Sequence, residues 1–146
     1  MTITDTQLHR YARQVVIPEI DEDGQQALLS SKVAILGAGG LGSPVIANLA
    51  AAGVGKLVLC DDDIVDLSNL NRQFIYQEAN AGQPKTQAAK RFIQGINSDV
   101  TVELRQETMN EESLTEFLSH CDILLDCSDQ FSIRLAAAKA AFINGI

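Results

Sequence analysis

Gly37-Ala38-Gly39-Gly40-Leu41-Gly42 follows the apolar run Lys32–Leu36 and opens the small, apolar stretch Leu41–Ala52. The pattern is G-x-G-x-x-G in the context that gives it meaning, a strand before it and a helix after it. Such glycines allow a tight turn and close approach of backbone to a ligand, and the helix N-terminus offers free N–H groups to a phosphate. Asp61 ends the next apolar run, Lys56–Cys60, where a carboxylate can accept hydrogen bonds from ribose hydroxyls. Gly37, Gly39, Gly40, Gly42 and Asp61 are therefore candidate nucleotide contacts. The competing structural explanation is a glycine turn that only packs helix on sheet. No Gly-Lys-Ser/Thr occurs, so this is not a Walker loop.

The crossover after the second run is unusually polar: Asp66-Leu-Ser-Asn69-Leu-Asn-Arg72-Gln73, then Gly82-Gln-Pro-Lys85. A dinucleotide's pyrophosphate needs few cations beyond a glycine loop. A triphosphate that must release pyrophosphate carries more charge, and Arg72 and Lys85 are the cations to meet it. Lys85 falls in a first helical turn, where a cation opposes the macrodipole by about 0.3–1 kcal/mol unless an anion sits beside it. A solvated lysine tolerating that cost is the plain alternative. Asp129 follows the fourth apolar run, at the edge where ligands bind in open α/β sheets, and could hold Mg²⁺ against phosphates. Asp126 lies nearer the run and can cap or orient the loop instead.

These residues need a scaffold, and the alternation of short apolar runs with helical patterns supplies one. Helices are expected over Asp5–Val16 (Leu8, Tyr11, Ala12 and Val15 in phase), Asp21–Leu29, Leu41–Ala52, Pro84–Ile96, Glu111–Leu118 and Phe131–Phe142. Strands are expected over Lys32–Leu36, Lys56–Cys60, Val100–Leu104 and Ile123–Leu125. Strand and helix in turn predict an α/β fold, a Rossmann-like doubly wound sheet, mostly parallel, preceded by two N-terminal helices. We expect a single domain over residues 1–146, with the N-terminal helices at about 5–30 and a nucleotide-binding core at about 32–146. Its last strand is expected to be an open apolar edge unless something pairs with it.

Composition narrows the function classes. With 46% hydrophobic and 21% charged residues, 146 residues can build a core without staples. A net charge of −8 argues against nucleic-acid binding, which requires a basic face. No signal-peptide core or spanning apolar run is present, so we expect no membrane association and a cytoplasmic location. Cys60, Cys121 and Cys127 are odd in number and lack Cys-x-x-Cys spacing, which suits buried thiols in a reducing compartment.

Taken in order and spacing, Arg10-Tyr-Ala-Arg13-Gln14, Gly37–Gly42, Asp61-Asp-Asp63, Ser68-Asn-Leu-Asn-Arg-Gln73, Gly82-Gln-Pro-Lys85 and Asp126-Cys-Ser-Asp129 resemble the ThiF/MoeB/HesA (E1-like) family. The resemblance runs from about Leu8 onward. Ser-Asn-Leu-x-Arg-Gln is its most specific element, absent from dehydrogenases that share the glycine loop. It implies ATP-dependent adenylation of the C-terminal glycine carboxylate of a ubiquitin-like sulfur-carrier protein ending in Gly-Gly, with Mg²⁺ as cofactor and pyrophosphate as product, in a homodimer. It implies that Gly39 and its neighbours contact the nucleotide and that Asp61 holds the ribose. Asn69, Arg72 and Lys85 would bind phosphates, with Asp63 and Gln73 in the same matched motifs. Asp129 would meet the Mg²⁺-bound triphosphate, and Arg13 would reach the phosphates from the opposite subunit. Arg13, Arg72 and Lys85 are thus the expected catalytic cations.

The chain departs from the family at Asp129-Gln130, where Asp-Asn is usual, and in length. The C-terminal half of the family fold is expected to be absent, so neither zinc ligands nor a sulfur-transfer cysteine are assignable. The wording Leu57–Asp63 inclines the resemblance towards the thiamine branch over the molybdopterin branch. Two other readings stand beside it: a truncated, non-catalytic nucleotide-binding or assembly module, and a NAD-dependent oxidoreductase resting on the glycine loop and Asp61 alone.

Overall fold

Apolar runs of four or five residues bounded by glycine, serine or aspartate are too short for stable helices, and burial on both faces makes them strands. The computed structural model describes residues 3–146. Three helices come first: α1 (Asp5–Arg10), α2 (Ala12–Val15) and α3 (Asp21–Ser30). The α/β core follows as β1 (Lys32–Leu36), α4 (Gly42–Ala52), β2 (Lys56–Cys60), α5 (Lys85–Ile96), β3 (Thr101–Arg105), α6 (Glu111–Phe117), β4 (Ile123–Asp126) and α7 (Phe131–Asn144).

The strands form one sheet in the order β3-β2-β1-β4, and all its pairings are parallel. Because side chains alternate across a strand, the sheet serves two cores. Val33, Ile35, Leu57 and Leu59 pack with Ile46 and Ala50 of α4 and with Ala88, Ala89 and Ile93 of α5. Ala34, Leu36, Val58 and Cys60 pack on the other face with Leu114 and Phe117 of α6 and Ala137 and Ala140 of α7. Burying one such large aliphatic side chain contributes about 1.5–3 kcal/mol. The expected doubly wound architecture is the one observed.

Two expectations need correction. The first helix does not run unbroken to Val16. It stops at Arg10 behind a Thr4 capping box, and Tyr11 interrupts it before the short α2. Tyr11 is buried, with its hydroxyl 2.8 Å from Asn97 Nδ2 and its ring against Gly53. Gly53, at φ +86°, ends α4, and a Cβ there would lie 2.5 Å from the ring. The tertiary contact of Tyr11 overrides a helical periodicity that alone reads as continuous. The third strand begins at Thr101 instead of Val100, whose N–H closes a turn onto the Asn97 carbonyl at 3.3 Å.

The two sheet edges differ. β3 shows charged and polar residues outward, with Glu103 2.9 Å from Lys56. β4 is the other edge, and it is apolar: Ile123 is exposed, as are Phe131, Leu135 and Phe142 on the adjacent α7. Among the described residues, no helix is long and apolar enough to cross a membrane.

Candidate functional site

At the carboxyl ends of the strands the chain leaves β1 and β2 on one side of the sheet and β4 on the other, the switch point at which open α/β sheets form crevices. A cleft of about 820 Å³ lies there. It is lined by Gly37, Gly39, Gly40, Asp61, Asp63, Asn69, Arg72, Gln73, Lys85 and Asp129, all singled out from the sequence. Gly42 and Arg13 are not among the lining residues: Gly42 is buried beneath the loop, and Arg13 is exposed on α2.

The glycine loop is built by contact. Gly37, at φ +95°, donates its N–H to the Cys60 carbonyl at 2.8 Å, and a Cβ on it would strike the Cys127 carbonyl at 2.8 Å. A Cβ on Gly42 would stand 2.1 Å from the Gly37 carbonyl oxygen, so this glycine lets α4 close on the loop. Gly39 and Gly40 face a different neighbourhood. A Cβ there would meet only Gln73 and Arg72 side chains at 3.7 Å. The Gly39 and Gly40 N–H groups make no hydrogen bond among the described residues, as expected of donors ahead of a helix.

Asp61 is occupied by backbone: one carboxylate oxygen accepts from Ala38 N–H at 2.7 Å, the other from Asp63 N–H at 2.9 Å. It therefore anchors the loop, while each oxygen keeps a lone pair for a hydroxyl donor. Asp63 holds Lys85: its carboxylate lies 2.6 Å from Nζ, and its carbonyl accepts the Lys85 N–H at 3.0 Å. Lys85 is 5% exposed, which replaces the solvated-lysine alternative with a buried cation at the head of α5. Arg72 lies on the surface over Gly40, its Nη1 donating to the Ser68 carbonyl and Asn71 Oδ1, each at 3.1 Å. Gln73 is buried and its Oε1 has no partner among the described residues.

Asp126 orients the loop after β4, one oxygen accepting from the Ser128 N–H at 2.9 Å and hydroxyl at 2.6 Å. That leaves Asp129 exposed on the cleft wall. Among the described residues no three His, Cys, Asp or Glu side chains cluster as a metal site. Any cation held at Asp129 would need its other ligands from a bound anion and water, as Mg²⁺ accepts. Burial, then the charges of Asp61, Glu107 and Asp62, push the Cys60 thiol up to about 12, so it is inert as a nucleophile. Burial likewise raises Cys127, with Asp126 adding to it.

Sequence reasoning missed Tyr76, Thr108, Met109 and Arg134. Thr108 hydrogen-bonds Asp62 at 2.6 Å, joining two loops of the cleft, and Arg134 Nη2 donates to the Ser128 carbonyl at 2.6 Å. Thr108, Met109 and Arg134 line the cleft from a loop or one turn into a helix, where no spacing rule marks them, and Tyr76 is buried behind the glycine loop.

Fold and cleft together define a Rossmann-like α/β protein with a polar crevice at its strand ends. Residues 11–146 match the ThiF family model, and the chain belongs to that family, the ThiF/MoeB/HesA group of E1-like adenylyltransferases. It is 40% identical to the SAMP-activating enzyme E1 of Haloferax volcanii, over all of this chain and 54% of that protein. It is 45% identical to the molybdopterin-synthase adenylyltransferase of Haemophilus influenzae, over 86% of this chain and 51% of the other. Against the sulfur carrier protein ThiS adenylyltransferase of Escherichia coli it is 41% identical, over 90% of this chain and 53% of the other. The chain thus spans about half the length of these curated relatives, and their identities do not separate the thiamine from the molybdopterin branch. In fold it matches the E. coli tRNA N6-threonylcarbamoyladenosine dehydratase TcdA, solved in complex with ATP. The TM-score is 0.93 at 24% identity, over all of this chain and 60% of the other.

Proposed function

We propose that this chain is the ATP-binding domain of an adenylyltransferase that activates the C-terminal glycine carboxylate of a ubiquitin-like sulfur-carrier protein. One observation carries the reading: a single cleft gathers the free N–H groups of Gly39 and Gly40, the cations Arg72 and Lys85, and the carboxylate Asp129. A nicotinamide dinucleotide does not call for both cations; a triphosphate that loses pyrophosphate does. Two relatives named above, a sulfur carrier protein ThiS adenylyltransferase and a molybdopterin-synthase adenylyltransferase, support adenylation of such a protein.

In this reading the loop N–H groups and the α4 N-terminus hold phosphate oxygens, and Asp61 accepts a ribose hydroxyl on its remaining lone pairs. Gln73 Oε1, buried and unpartnered, fits a ligand donor at the cleft floor. A carboxylate oxygen of the carrier attacks the α-phosphorus, the bond to the β-phosphate oxygen breaks, and pyrophosphate leaves with an acyl-adenylate formed. The carboxylate is already a nucleophile, so the site needs positioning and cations and no strong base. Arg72 and Lys85 stabilise the charge that accumulates on the leaving pyrophosphate. Mg²⁺, bound through Asp129 and the phosphates, would supply further charge neutralisation. Arg13, exposed and outside the cleft, serves in this scheme from the opposite subunit of a homodimer.

The test is calorimetric titration of the chain with Mg-ATP beside NADH, followed by ATP–pyrophosphate exchange with a Gly-Gly-ended carrier. ATP binding that Arg72→Ala weakens, without NADH binding, supports the reading; NADH binding alone overturns it. ATP binding without exchange would keep the nucleotide-binding part of the reading and remove the adenylation.

A further inference from the structure

Ala38 of the glycine loop is gripped through both peptide groups that flank its Cα. Its N–H donates to Asp61 at 2.7 Å, and its carbonyl accepts the Tyr76 hydroxyl at 2.7 Å. Tyr76 comes from the crossover between β2 and α5 and is 4% exposed, so this hydrogen bond is shielded from water. No cis peptide occurs among the described residues, and in a trans peptide the carbonyl of one residue and the N–H of the next point in opposite directions. With the Ala38 carbonyl drawn inward to Tyr76, the Gly39 N–H is turned outward. Gly39 lines the cleft and its N–H has no acceptor within the described protein.

We infer that Tyr76 is a positioning residue, whose buried hydroxyl fixes the Ala38–Gly39 peptide so that the Gly39 N–H is presented to an anionic phosphate in the cleft. This rests on the nucleotide reading above and deepens it. A carbonyl can only accept, so the hydroxyl must stay protonated to serve. Burial, then the charges of Asp61 and Asp63, hold its pKa well above the ordinary tyrosine value. Preorganisation is the benefit: a donor already aimed does not have to be ordered when the ligand arrives.

The test compares wild type with Tyr76→Phe, which keeps the ring and removes the donor. Titrations with Mg-ATP and with adenosine are paired with ¹⁵N relaxation of the Ala38 and Gly39 amides in the free protein. Tyr76→Phe is expected to weaken ATP about fivefold or more, the worth of one neutral hydrogen bond, and to leave adenosine within about twofold. The Gly39 amide should become more mobile and its ATP-induced shift should shrink. Equal weakening of both ligands points to general damage and overturns the inference, as does no change in either. If wild type binds no ATP, the nucleotide reading fails separately. The clamp is then judged on relaxation alone, and unchanged Ala38 and Gly39 mobility overturns it. Should Tyr76→Phe not fold, 3-fluorotyrosine at position 76 changes donor strength without changing shape, and ATP affinity must shift while adenosine affinity does not.

Discussion

Lys85 and Asp63 form an ion pair with one end inside the protein and the other in water. Nζ and the carboxylate are 2.6 Å apart, but the lysine side chain is 6% exposed and the aspartate 69%. The pair is therefore asymmetric. Asp63 could be solvated alone at little cost, whereas Lys85 without Asp63 is a nearly buried charge at the positive end of a helix.

The asymmetry sets the expected order of two substitutions. Asp63→Ala should destabilise the fold by roughly 1–3 kcal/mol, less than for a fully buried pair because water screens its side. Lys85→Met strands no buried charge and should cost less stability, yet it should lose more ATP affinity. Urea unfolding and calorimetry read the two quantities separately; a larger stability loss for Lys85→Met would contradict the assignment.

Gly42→Ala and Gly39→Ala should behave as opposites. The first drives a Cβ to 2.1 Å from the Gly37 carbonyl and should cost about 1–3 kcal/mol through overpacking. The second meets only Gln73 Nε2 at 3.7 Å, so stability should change by less than about 0.5 kcal/mol. Its effect should fall on nucleotide affinity, since the added methyl occupies cleft space. Similar melting temperatures for the two variants would refute the division of labour.

Cys60 should make the protein sensitive to alkali. Its folded thiol is pushed to about 12 against 9.0 for a free one, so above pH 9 the unfolded chain loses a proton that the folded chain keeps. Stability from this group is whole below that pH and declines towards pH 12, by about 1.4 kcal/mol per pH unit. Cys60→Ala should remove this component. Urea midpoints of both proteins at pH 8.5 and 10 measure it, and parallel profiles would rule it out.

Asp129→Asn should leave metal-free ATP binding nearly intact and abolish the gain in affinity on adding Mg²⁺. Titrations with and without EDTA decide it; an undiminished Mg²⁺ effect would move the metal elsewhere.

The strands were legible because each is a short apolar run with abrupt polar or glycine ends, and β1 and β2 have the boundaries the sequence predicts. The cleft's glycines, cations and carboxylates were legible because their residue types carry chemistry that apolar core positions never need. The break at Tyr11 was not, because the partners of its buried side chain, Gly53 and Asn97, lie far along the chain. Nor was the ion pair of Lys85 with Asp63: composition shows two charges, and only the loop's path brings them together. Tyr76 escaped for the same reason, since its partner is a backbone carbonyl that has no sequence signature.

The pairing of Val33 with Ile123 joins β1 to β4 across most of the chain, and Cys127 reaches Gly37 only through it. Such distant pairing is slow to form, and a chain emerging from the ribosome completes β1, β2 and β3 first. Until β4 arrives, the glycine loop lacks one wall and the partial sheet presents an unpaired edge of β1. A ligand that needs both walls can bind only after β4 docks, and its binding then draws that docking forward by mass action.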